Sequence, residues 1–147
     1  MKTAFVELYN RDIAKLKEEL SLYKEEKNIW VVEENISNSA GNLCLHLVGN
    51  LNHFIGALLG KTGYVREREL EFSTKDVPRS ELISMIDQTK ETVANALSGL
   101  TEADLTLDFP EAKRGIIEKT GYMLIHLLAH LDYHLGQVNY HRRLLDK

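Results

Sequence analysis

Apolar residues recur at intervals of three and four along four stretches of this chain, and alternation of the strand type is absent over any useful length. From Met1 to Lys24, Phe5, Leu8, Tyr9, Leu16, Leu20 and Tyr23 share one face with Asp12, while Arg11, Lys15, Lys17, Glu18, Glu19 and Lys24 fill the other. This predicts an amphipathic first helix with a solvated, ion-paired outer face. The second stretch, from Asn38 as cap to about Gly60, is apolar nearly all round and predicts a buried helix. Gly49, Gly56 and Gly60 form a small-residue ridge along it, which predicts close approach of another helix or of a second subunit. A third helix is predicted from Pro78 to Ser98, with Leu82, Met85, Ile86, Thr89, Val93, Ala96 and Leu97 inward and Gly99 as its stop. The fourth runs from Thr120 to Lys147.

Three links join these helices. Glu25 to Ser37 reads as a connection with an apolar plug, in which Trp30 seals one end of the core. Lys61 to Val77 and Leu100 to Lys119 read as two long, charge-rich connections. The pattern predicts an all-α protein, one domain over residues 1–147, built as a four-helix bundle with long crossover connections.

Composition narrows the function classes. The chain has 147 residues, 18 basic against 22 acidic, and a formal charge of −4 with no basic block, which argues against nucleic acid. The longest apolar run, Leu43 to Leu59, is interrupted by His46, Asn50, Asn52 and His53, so no membrane span is expected. A single cysteine, Cys44, excludes an internal disulfide, and the N-terminus has no signal-peptide pattern; a cytoplasmic protein is expected. Cys44 falls opposite His46 on the helix, as a core residue does.

All six histidines lie on the second and fourth helices. His126, His130, His134 and His141 fall within roughly 80° of one another around the last helix, at the edge of its apolar stripe. A lone imidazole in such a place is ordinarily a hydrogen-bonded core residue, and His141 and His53 fit that description. Imidazoles at i and i+4 can also aim at a single point, which is the geometry a helix offers to a metal ion, or at a haem. Spacing alone does not choose among these.

The stretch NLCLHLVGN around His46, together with HLLAHLDYHLGQ around His130 and His134, resembles the DinB-like superfamily of bacterial helical proteins. Arg66, Arg68, Glu71 and Phe72, in VREREL EF, are similar to the arginine-rich signature of one of its uncharacterised branches. The likeness covers essentially the whole chain. It implies an up-down-down-up bundle, frequently a homodimer, with a divalent ion such as zinc or nickel held by His46, His130 and His134. Relatives in the superfamily are thiol-dependent S-transferases and isomerases, and some are described as metal-dependent hydrolases, so a small thiol and an electrophilic substrate are the implied partners. A non-catalytic, metal-stabilised dimer is the other reading. On the same helices Asn50 and Gln137 are candidates to hold a ligand imidazole from behind. His126 and His53 are the candidate catalytic groups, and Asp132, turned away from the histidines, is a surface charge.

Overall fold

The fold, a computed structural model describing residues 1–147, is all-helical. Helix α1 spans Lys2–Leu22 and buries Phe5, Tyr9, Asp12, Ile13, Leu16 and Leu20, the face its apolar periodicity marks. Helix α2 spans Ala40–Leu51, and every one of its residues is buried. It starts one residue later than predicted because Ser39, not Asn38, is the cap: its hydroxyl accepts from Asn42 N, an interaction worth about 1 kcal/mol. Beyond Leu51 the helix continues as a π-helical segment, Asn52–Ala57, with hydrogen bonds such as Leu58 N to His53 O.

The link after α2 is not a plain connection. It holds a short helix, α3, Arg68–Ser73, whose buried residue is Glu71. Helix α4 spans Arg79–Ser98, and α5 spans Thr120–Leu145. Single 3₁₀ turns occupy Glu26–Trp30 and Ala103–Thr106. Trp30 lies on the backbone of Gly41, where a Cβ would meet its ring at 2.7 Å, so the plug at this end is real and requires glycine beneath it.

The buried apolar side chains of α1, α2, α4 and α5, with Tyr23, Ile29, Ile55 and Leu105 from between them, form a 25-residue cluster. Contacts along the helices give their directions. Lys2 Nζ reaches Ser98 O while Arg79 donates to Leu20 O and Tyr23 O, so α1 and α4 run oppositely. Tyr9 donates to Leu124 O and Arg142 to Glu19, so α1 and α5 run together. Helices α2 and α4 also run together, since Asn52 bonds Thr89 and Gly60 faces Ala96. Helix α5 runs against α2, with His130 beside His46 and His141 walling the same cavity as Leu43. The link from α2 to α4 is lengthy because helices that run together cannot be joined by a tight turn.

The glycine ridge is used within the chain. A Cβ on Gly49 would strike Glu71, one on Gly56 would meet Thr92 at 3.0 Å, and one on Gly60 would meet Ala96 at 3.0 Å. The ridge therefore serves close packing of α3 and α4 within the chain. No helix is long and apolar enough to cross a membrane.

Candidate metal centre

The unbroken α-helical period of α5 stacks His130 and His134 one turn apart, and the antiparallel crossing of α2 brings His46 to them. One ring nitrogen from each of the three histidines lies within 4.8 Å of the other two. His46 Nε2 is 3.1 Å from His130 Nε2, and the three rings stand edge to face with centroids 4.6–5.2 Å apart. In a tetrahedral zinc site with Zn–N near 2.0–2.1 Å, neighbouring nitrogens are about 3.3 Å apart. The imidazoles are thus close to the separation a single ion requires.

Hydrogen bonds behind the rings decide where their protons sit. His46 Nδ1 lies 3.0 Å from Glu71 Oε1, and a carboxylate can only accept, so the proton is on Nδ1 and the Nε2 lone pair faces the centre. Glu71 is itself gripped by Arg66, whose Nε donates to Oε2 at 2.8 Å and Nη2 to Oε1 at 2.9 Å. Phe72 lies against the His46 ring at 4.9 Å, and the Arg68 guanidinium covers Phe72 at 5.3 Å. On the other side His134 Nδ1 meets Gln137 Oε1 at 2.6 Å, which fixes that ring in the same tautomer. His130 Nδ1 is buried with no protein partner.

Burial keeps the His46 and His130 rings neutral, as lone-pair donors must be. It pushes His46 below the ordinary imidazole range despite the opposing pull of Glu71. His130 falls to about 3, through burial first and then the neighbouring His134 and His46.

The other candidates are placed as follows. Asn50, buried one turn beyond His46, leaves its Oδ1 without a protein partner and makes no bond to a ligand ring. His126 accepts at Nε2 from Lys113 Nζ, and burial with that nearby cation lowers its pKa. His53, on the π-helical segment, pairs with Glu111 at 3.1 Å. His141 is a core residue, bonded to Tyr23 OH at 2.7 Å and Val31 O at 2.8 Å. Cys44 is fully buried and its thiol is pushed up to about 12, which removes it as a nucleophile. Asp132 is exposed, away from the cluster, though it meets buried Asp12 across the α1–α5 contact.

Glu71 and Lys113 are the residues to which sequence reasoning assigned no role. Glu71 stood within the arginine-rich signature, but the signal that would have given its task was Gly49, the one gap on α2 through which a carboxylate can reach His46.

Fold and site together define an all-helical protein with a three-histidine cluster able to hold a metal ion. The chain belongs to the family described as a protein of unknown function, DUF1572, whose model matches residues 4–147. No curated protein matches it.

Proposed function

We propose that this is a DinB-like four-helix bundle of the up-down-down-up kind in which His46, His130 and His134 hold one divalent ion, zinc or nickel. We propose further that it is a metal-dependent enzyme joining a small thiol to an electrophilic substrate. The observation that carries the reading is the pair of outer bonds, Glu71 to His46 and Gln137 to His134, which turn two ring lone pairs onto one centre. Structural imidazoles need no such arrangement. The helix directions support the bundle type, since α1 and α5 run one way and α2 and α4 the other.

Three neutral ligands leave the charge of such an ion uncompensated and a position open, so the ion would act as a Lewis acid favouring the anionic form of a thiol or water beside it. The chain supplies the surroundings. Arg66 neutralises Glu71, buried α2 excludes water behind His46, and beyond Gln137 a cavity of about 260 Å³ between Ile36, Leu43, Tyr140 and Leu144 gives room for a small substrate. Thiol transfer is favoured over hydrolysis because hydrolysis wants a free general base near the centre. His126 already accepts from Lys113, and His53 is engaged with Glu111.

Untagged protein should carry about one divalent ion per chain, and His130→Ala should lose most of it while folding normally. Full occupancy in His130→Ala, with loss in His126→Ala, would show the ligand set to be misassigned. A porphyrin spectrum in place of a divalent ion would replace it with haem.

A further inference from the structure

Residues 108–119 fold back on themselves, with Asp108 opposite Lys119 and Lys113 opposite Ile116. Lys113 N donates to Ile116 O at 2.8 Å and Ile116 N to Lys113 O at 2.9 Å. Between them Arg114 and Gly115 both have positive φ, 51° and 77°, the geometry of a tight two-residue hairpin turn. Such a turn fixes the directions in which Lys113 and Arg114 leave the backbone.

The Lys113 side chain crosses to α5, where its ammonium donates to His126 Nε2. Neither Lys113 nor Arg114 belongs to any of the ion pairs of the molecule. A half-buried ammonium is ordinarily paired with a carboxylate. Here its partner is a neutral imidazole that accepts one of three N–H groups, and burial with the neighbouring Arg114 lowers the lysine's own pKa.

Between the hairpin and α5 lies a cavity of about 240 Å³ lined by Lys113, Arg114, Ile116, Glu118, Tyr122 and His126. Its walls carry two cations and one carboxylate, so they stay positive overall. His126 stands four residues before His130, about 6 Å along the helix axis, so the cavity and the three-histidine centre share one face of α5. A molecule of modest length can touch both.

We propose that this cavity binds an oxyanion, carboxylate or phosphate, carried by the same small thiol whose sulfur approaches the three-histidine centre. The inference rests on the metal-and-thiol reading above. Lys113 and Arg114 supply charge-assisted donors, and His126, on the wall of the same cavity, holds the Lys113 ammonium in place. Acidic thiols are thereby preferred over neutral ones of the same length.

The test compares mercaptopropionate with mercaptopropanol on cobalt-substituted protein, following the sulfur-to-metal charge-transfer band. The acid should bind at least about tenfold tighter at low ionic strength, a gap that narrows as salt is added. The gap should close in the Lys113→Gln, Arg114→Gln double variant, which should bind the alcohol as wild type does. Equal binding of the two thiols by wild type would overturn the anion subsite and leave the metal centre standing. If neither thiol gives a band, the thiol reading fails, and the subsite is judged in metal-free protein by titration with inorganic phosphate. Amide resonances of residues 113–118 that move in wild type and not in the double variant support the subsite; resonances that stay in place in wild type refute it.

Discussion

At the scale of single residues, the centre depends on a carboxylate lying where a helix has no side chain. Alanine is favoured over glycine by about 1 kcal/mol inside a helix, so propensity alone predicts that Gly49→Ala stabilises α2. The structure predicts a different outcome for the site. A Cβ there would sit 1.8 Å from Glu71 Oε2 and 2.5 Å from its Cδ, and Glu71 cannot simply swing aside while it bonds both Arg66 and His46. Gly49→Ala should therefore fold, expel the carboxylate, and weaken metal binding about 10–100-fold, the usual effect of losing a partner behind a ligand histidine. Chelator competition measures this. Glu71→Gln keeps an acceptor oxygen and should lose less; a Gly49→Ala protein that binds metal as tightly as wild type would show that Glu71 does not orient His46.

At the scale of elements, what could be read in advance followed the regularity of each helix. His130 and His134 were placed correctly on one face because α5 keeps its period without interruption from Thr120 to Leu145. Helix α3 was missed because six residues, RELEFS, hold too few apolar positions to show a period, and its docking depends on Glu71, a charged residue, being the one that is buried. The π-helical segment was equally invisible: nothing in NHFIGA announces i to i+5 bonding, so positions from His53 onward do not follow the α-helical wheel. Asp132 is a surface charge as expected, yet its partner could not be seen, because Asp12 lies 120 residues earlier and meets it only when α1 packs on α5. Arg11 grips Asp12 at 2.7 Å and helps hold that buried carboxyl ionised and low, while partial burial and then the hydrogen bond and charge of Asp12 push Asp132 up to about 6. A carboxyl whose folded pKa is raised contributes stability when protonated, fully present below about pH 4 and lost as pH rises through about 6. Asp132→Asn, which keeps a donor toward Asp12 without the charge, should raise the melting temperature at pH 8 and change it little at pH 4. Parallel melting curves of the two proteins check this, and an equal effect at both pH values would contradict the carboxyl pair.

At the scale of the whole molecule, the homodimer implied by resemblance loses the glycine ridge as its argument, since Gly49, Gly56 and Gly60 face α3 and α4 of the same chain. A different surface supports it, and we propose that two copies pair through α5. Tyr122, Ile125, Tyr133, Tyr140 and Leu144 are each more than half exposed, and their spacings of three, eight, seven and four residues line them along one side of the helix, where Tyr122 also edges the anion cavity and Tyr140 and Leu144 the substrate cavity. Aromatic side chains in such numbers are costly to leave in water and typical of interface centres. Small residues lie among them, since Ala129 is exposed and a Cβ on Gly136 would touch nothing within 4 Å. Helix α5 is about 39 Å long, and Tyr133 falls at its midpoint, so a two-fold axis crossing there brings the two Tyr133 rings together and lays Tyr122 of one copy near Leu144 of the other. A charge at that point is doubled by symmetry and has no partner. Tyr133→Glu should therefore convert a dimer to a monomer in sedimentation at micromolar concentration while leaving the helical content unchanged. Gly49→Ala, at a buried position on α2, should leave the dimer intact, and a monomeric wild-type protein under the same conditions would exclude α5 as an interface between copies.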